Sequence, residues 1–493
     1  MQPLSRRRAL QLSGLGLAGT VIGAGGLTWR MTAGFSPAPP AALTEPPTLT
    51  STAGLLQVRL EAAAGPVRIA GRQATALAYN GGLPGPTLRL QPGDRLQVDL
   101  VNRLTQPTNL HVHGLHVSPQ GNGDNPFVTV HPGASFSYDY QLPADHSPGV
   151  YWYHPHHHGT VADQVFGGLY GAIIVGDAET PTPSVPVTRE RVLVISDISL
   201  SASGTIQTPS AMDRMRGREG ELILTNGQTH PELTAQPGER ERWRIVNACT
   251  SRYLRLRLDG QHLQLLGLDS GRFAAPHDAD EFVLAPGNRA DVLVSTTAGT
   301  SQLQTLPYNR GYMMGMGGGM GGGMGNNPQP NSNQGDRVLA TLEVTGRDVT
   351  TLPAVAAQPE PRDLRGATIA RRRELTFAMS MGGGAMNFTI DGQKFDADRV
   401  DQTVDAGTIE EWTVTNTSPM DHPLHLHVWP MQIIETEGQR LKQPIWQDVV
   451  NIPARSNVKV RVAFDDFAGR TVYHCHILDH EDHGMMGVIN ARS

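Results

Sequence analysis

Four His-x-His pairs carry the chemistry that this 493-residue sequence can do: His111-Val-His113, His154-Pro-His156, His425-Leu-His427 and His474-Cys475-His476. Residues i and i+2 of a strand point to one face, so each pair presents two imidazoles together. Fourteen of the 19 histidines fall in the four clusters that hold these pairs, with His116, His157, His158, His422, His480 and His483 alongside them. A single isolated histidine is usually a satisfied core or surface residue. Paired imidazoles at strand spacing, found four times, are instead the pattern of a metal site.

The last pair contains more than imidazole. Cys475 lies within His474-Cys-His476-Ile-Leu-Asp-His480-Glu-Asp-His-Gly-Met485. Strand alternation turns its thiol away from the face used by His474 and His476 and into its own sandwich. There His480 and Met485 are expected to follow in a loop, and His422 to arrive from the neighbouring strand. One cysteine, two histidines and a weak thioether make the ligand set of a blue-copper electron-transfer site. Zinc is the rival, since Cys and His also bind it, but structural zinc sites usually carry more than one Cys at C-x-x-C or His-x₃₋₅-His spacing. The other cysteine, Cys249, has no such neighbours and reads as core, and two cysteines leave no room for a disulfide framework.

These groups must be positioned by strands. The chain has 55 glycines, 36 prolines and only 17% charged residues, which favours short strands and tight turns over long surface helices. Its length suggests about three domains. A repeat supports that number: Gly93-Asp-Arg-Leu-Gln-Val-Asp-Leu-Val-Asn102 is matched by Gly238 to Asn247 and by Gly407 to Asn416. A second strand recurs after Pro132-Gly133, Pro286-Gly287 and Pro453. Nine residues beyond each repeat asparagine stand His111, Leu256 and His425, so the outer copies carry His-x-His where the middle copy carries Leu-x-Leu. Three β-sandwiches are expected, at 45–178, 187–345 and 370–493. The formal charge of −6 and the lack of a basic stripe argue against nucleic acid as a partner.

The four motifs His111-Val-His113-Gly, Trp152-Tyr-His154-Pro-His156-His-His-Gly, His422-Pro-Leu-His425-Leu-His427 and His474 to Met486 resemble the four copper motifs of the multicopper oxidases, each complete. The resemblance implies an all-β chain of three cupredoxin-like Greek-key sandwich domains. It also implies four copper ions per chain, with a trinuclear cluster between the first and third domains. Carried over by position, His111 and His425 would hold the type 2 ion. His113, His154, His156, His427, His474 and His476 would hold the type 3 pair, and His422, Cys475, His480 and Met485 the type 1 ion. Asp124 and Glu481 are the implied proton carriers. The implied reaction couples one-electron oxidation of a small reductant to four-electron reduction of dioxygen to water. His157 and His158 are expected to support ligands through hydrogen bonds, and His116 to be a surface residue.

The reductant is addressed by methionines. Met313, Met314, Met316, Met320 and Met324 sit in a glycine run at 312–325, where no regular element or core can form. Thioethers are soft and favour Cu(I). Met379, Met381 and Met386 form a second group, and Met420 precedes His422 by two residues. The run resembles the Met-rich insertion of bacterial cuprous oxidases, although Ser418 stands where that group tends to carry an Asp. Cu(I) is therefore the expected reductant. The alternatives are a laccase acting on phenols and aromatic amines, and a non-catalytic copper-binding protein of the cell envelope. Arg6-Arg7-Arg8 before a Gly/Ala/Leu-rich stretch reads as a twin-arginine export signal within 1–44, which makes the Tat machinery a partner and the periplasm or cell envelope the destination. Pro37 to Thr50 reads as a linker, and a monomer is expected.

Overall fold

The computed structural model describes residues 41–176, 185–311, 335–350, 352–382 and 385–493. The leader, the 312–325 run and its five methionines lie outside the described residues. Among those described, no helix is long and apolar enough to cross a membrane.

Six sheets fall into three consecutive blocks of sequence. The first block pairs a sheet of Thr48–Thr50, Thr87–Leu90, Gly171–Val175, Gly149–His154 and His111–His113 with one of Arg72–Tyr79, Leu55–Ile69, Arg95–Asn102 and Ser135–Gln141. The second and third blocks each combine a six-stranded and a five-stranded sheet. Alternation sets the faces. In Leu55–Ile69, Leu56, Val58, Leu60 and Ala62 turn inward while Gln57 and Arg59 face solvent. Each sandwich closes over its own apolar core, built around Tyr79, Tyr138 and Tyr153 in the first, Trp243 in the second and Trp412 and Trp429 in the third. Thr48–Thr50, expected to be linker, is a strand lying parallel to Thr87–Leu90.

The repeated asparagine explains the repeat. Its side-chain oxygen accepts from the backbone N–H two residues on, at Leu104, Cys249 and Ser418. Its amide donates to the carbonyls of Gln106 and Val130, Arg252 and Leu284, or Met420 and Ile452. One buried side chain thus satisfies both walls of the same turn three times. That turn launches the strand that carries His-x-His in the outer sandwiches and Leu-x-Leu in the middle one.

Candidate metal centre

Within the first sandwich, His111–His113 pairs antiparallel with Gly149–His154, which sets His111 opposite His154 and His113 opposite Trp152. Within the third, His422–Leu426 pairs with Gly469–Cys475, which sets His425 opposite His474 and Leu424 opposite Cys475. The two sandwiches then meet ring to ring. His111 stacks on His427 and His113 on His425, each at 3.9 Å between centroids. Nε2 of His156 lies 3.1 Å from Nε2 of both His474 and His427, and Nε2 of His111 lies 3.3 Å from Nε2 of His425. His476 closes the group, its centroid 4.9 Å from His113 and 5.7 Å from His425. All eight rings are buried.

The protons on these rings are placed by acceptors outside the cavity. Nδ1–H of His111 donates to Asp124, of His154 to the Pro155 carbonyl, of His425 to the Asp448 carbonyl and of His474 to the Cys475 carbonyl, while His113 donates through Nε2 to the Asp448 carboxylate. Each of these five rings therefore aims a lone pair inward. In addition, Nδ1 of His156, Nδ1 of His427 and both nitrogens of His476 have no hydrogen-bond partner. Converging lone pairs at 3.1–3.4 Å repel one another unless a cation lies between them. Two nitrogens bound to one ion at about 2.0–2.1 Å sit about 3 Å apart, so the spacing fits metal ligation.

The thiol has its own site. Cys475 Sγ lies 3.3 Å from His422 Nδ1 and 3.9 Å from His480 Nδ1, and these two nitrogens are 3.3 Å apart, all fully buried. Burial pushes the thiol's pKa well up, against the weaker pull of the Ile477 N–H at 3.4 Å and the Arg310 charge, so a thiolate here needs a cation. The trigonal set of one sulfur and two imidazoles suits copper better than zinc. Met485 is buried beside it in the same core. His480 lies on a short helix, Leu478–Asp482, rather than in a loop. The outer nitrogens of both histidines are taken: His422 Nε2 by the Ser418 hydroxyl at 2.8 Å, His480 Nε2 by the Met215 carbonyl at 3.2 Å. Ser418 and Met215 were not foreseen as partners.

The remaining residues divide clearly. Asp124 is buried, accepts from His111 at 2.9 Å and from the Val112 N–H, and burial raises its pKa to about 8. Glu481, fully buried, places its oxygens 3.1 Å from His474 Nδ1 and 3.5 Å from His156 Nε2, and burial raises its pKa to about 7. His116 is not a plain surface residue: it bonds the Val428 carbonyl and Asp466, joining the first sandwich to the third. His158 packs on Phe395, and neither Nδ1 of His157 nor Nδ1 of His158 finds a partner, so neither supports a ligand through that nitrogen. Cys249 is core. Met420 is packed into the apolar core of the third sandwich, and its backbone pairs with Gly311, where the methionine run begins. Sequence reasoning missed Asp448, which bonds His113 at 3.0 Å, because no local motif surrounds it.

The metal-free protein has a defined pH profile. Burial lowers the pKa of His111, His113, His154, His156, His422, His425, His427, His474, His476 and His480. Stability from neutral imidazoles is present above the unfolded value near 6.5 and is lost as pH falls below it. Asp124 and Glu481 act oppositely: their raised values favour the fold at low pH, and that contribution is lost as pH rises through about 7 and about 8. Ten rings outnumber the buried carboxyls with raised values, which also include Asp269 and Asp482. Melting temperatures of the metal-free protein should therefore fall steeply between about pH 6.5 and 4, and decline only gently above neutrality. A flat acid limb would mean that the rings are charged and solvated without metal.

Sequence profiles described as multicopper oxidase match residues 61–180, 198–305 and 368–493. A solved multicopper oxidase from Campylobacter jejuni, described as a metallo-oxidase, is 29% identical with a TM-score of 0.79, covering 93% of this chain and 96% of that one. The laccase of Bacillus subtilis strain 168 is 26% identical over 83% of this chain and 88% of its own length. Cell division protein FtsP of Sodalis glossinidius is 29% identical over 98% of each chain. The buried histidine cluster, the cysteine site beside it and profile matches in all three sandwiches agree, and the chain belongs to the multicopper oxidase family, oxidoreductases that use dioxygen.

Proposed function

We propose that the chain oxidises Cu(I), and other small metal reductants such as Fe(II) or Mn(II), outside the cytoplasm, reducing dioxygen to water and conferring copper tolerance. Four copper ions, held as the resemblance implies, supply one-electron storage and the four electrons that dioxygen needs. The observation that carries this reading is the arrangement about Cys475: its thiol faces His422 and His480, while its chain neighbours His474 and His476 face the imidazole cluster. The backbone of three residues thus links the group that takes up an electron to the rings where oxygen would be reduced. Asp124 and Glu481 stand against those rings with raised pKa values and can deliver protons there.

Two features support a small reductant over a phenol. Both outer nitrogens at the cysteine site are already bonded within the protein, which leaves none for a phenolic hydroxyl. Gly311, the residue before the methionine run in sequence, pairs with Met420, two residues before His422, and soft thioethers favour Cu(I). Export by the twin-arginine route fits a protein loaded with metal before it crosses the membrane.

The test is steady-state oxygen uptake by the copper-loaded protein with Cu(I), Fe(II), Mn(II) and a phenol, before and after deletion of 312–325. Lost Cu(I) turnover with retained or raised phenol oxidation supports the proposal. Unchanged kinetics favours the laccase reading, and no oxygen uptake with any reductant favours a scaffold. In the same protein, Met485→Leu should leave the blue colour and raise the potential of the cysteine site, because a weak donor is removed. An unchanged potential in a redox titration would reject Met485 as a residue that would hold that ion.

A further inference from the structure

The middle sandwich lacks the histidine pairs, yet it reaches the cluster. The strand that follows each Pro-Gly or Pro turn begins opposite the residue before the repeat asparagine: Ser135 faces Val101, Arg289 faces Val246 and Asn457 faces Thr415. These three positions are structural equivalents. Ser135 and Asn457 are exposed, whereas Arg289 is 0% exposed.

A fully buried arginine requires acceptors on every side. Arg289 finds them in all three sandwiches. Its Nε donates to the Val150 carbonyl at 3.0 Å, and Nη1 to the Gly287 carbonyl at 3.2 Å. Nη1 and Nη2 clasp the two oxygens of Asp448 at 2.6 Å each, and Nη1 lies 3.3 Å from Asp269. The clasped Asp448 accepts the Nε2–H of His113 through its carboxylate and the Nδ1–H of His425 through its backbone carbonyl. His113 alone among the five rings with a settled proton is thereby turned so that Nδ1, not Nε2, faces the cavity, 3.4 Å from His154 Nε2. The same turn closes on the cluster from below. Gly287, at φ +87°, lies under the His476 ring, and a Cβ there would stand 2.8 Å from three of its atoms, whereas the equivalent Gly133 has open space around it.

We infer that Arg289 is a positioning residue for the imidazole cluster, acting through Asp448 to fix the tautomer and orientation of His113 and the orientation of His425. The middle sandwich thus sets the geometry of a site to which it contributes no ligand. This rests on the copper reading above. A fork that grips both carboxylate oxygens holds its plane, which the single ammonium of lysine cannot do.

The test compares Arg289→Met, Arg289→Lys, Asp448→Asn and the Arg289→Met/Asp448→Asn double variant, each loaded with copper. The readouts are copper per chain, affinity by chelator competition and the electron paramagnetic resonance spectrum. The blue thiolate–copper colour, which depends on a separate site, reports that each variant is folded. Arg289→Met and Asp448→Asn should keep that colour but bind cluster copper about 10–100-fold more weakly. Arg289→Lys should recover only part of the loss, and the double variant should be no worse than the weaker single. A coloured Arg289→Met protein with full cluster copper and an unchanged spectrum overturns the inference. So does a double variant whose losses multiply, since Arg289 would then act apart from Asp448. A wild-type protein that takes up only the blue ion overturns the copper reading itself.

Discussion

Cys475→Ser should yield a folded, colourless protein that still binds copper at the imidazole cluster but oxidises no reductant above background. The thiolate is the only sulfur anion at the site, 3.3 Å from His422 and 3.9 Å from His480, and a hydroxyl cannot replace its soft, covalent bond to copper. The eight cluster rings do not depend on that sulfur. The protons of five of them are placed by Asp124, Asp448 and backbone carbonyls, which the substitution leaves intact. The stability cost comes from a hydroxyl in a buried apolar setting, on the order of 1–3 kcal/mol for an unsatisfied group, eased by the Ile477 N–H that now bonds sulfur. Copper analysis, visible absorption and oxygen uptake on one sample separate the outcomes. Retained blue colour would remove Cys475 from the site, and loss of all copper would mean that the two centres assemble as one.

The sequence made most of the ligand set legible because ligands that share a strand are local. His111 with His113 and His474 with His476 each lie two residues apart, and strand alternation alone puts both rings on one face. The repeat made the framework legible for a related reason: the turn built by Asn102, Asn247 and Asn416 is closed largely by neighbours in sequence, so its signature survives where the ligands do not. The partners that orient the rings were not legible. Asp448 reaches His113 across 335 residues and is gripped by Arg289 from a third part of the chain, so neither carries a motif. Ser418 marks in sequence only the lack of an acid, yet its hydroxyl bonds His422 Nε2. Met215 acts through its carbonyl, which no side-chain pattern can reveal. His480 was expected in a loop, but five residues of helix suffice to turn its ring back toward Cys475.

Glu481→Gln should lower turnover with dioxygen by about 10²–10⁴-fold, the usual weight of a positioned acid, while leaving anaerobic bleaching of the blue colour by reductant unchanged. Glu481 is fully buried, neither oxygen makes a hydrogen bond, and both stand within 3.5 Å of a ring nitrogen of His156 or His474. Burial raises its pKa to about 7, with only the His156 ring lowering it, so at neutral pH a large fraction carries a proton. The sign follows from that value. As the acid form is the one that can give a proton to the cavity, turnover should fall as pH rises through about 7, and glutamine should abolish this limb of the profile because it cannot titrate. Glutamine keeps the shape and can donate a hydrogen bond, so ring packing and copper content should hold. Asp124→Asn differs, because Asp124 bonds His111 at 2.9 Å and fixes its tautomer; there copper content should fall together with rate. Stopped-flow reduction under nitrogen, followed by reoxidation with dioxygen across pH 5–9, distinguishes the two residues. If Glu481→Gln reoxidises at the wild-type rate and keeps the alkaline fall, the proton comes by another route and Glu481 only fills space behind His474.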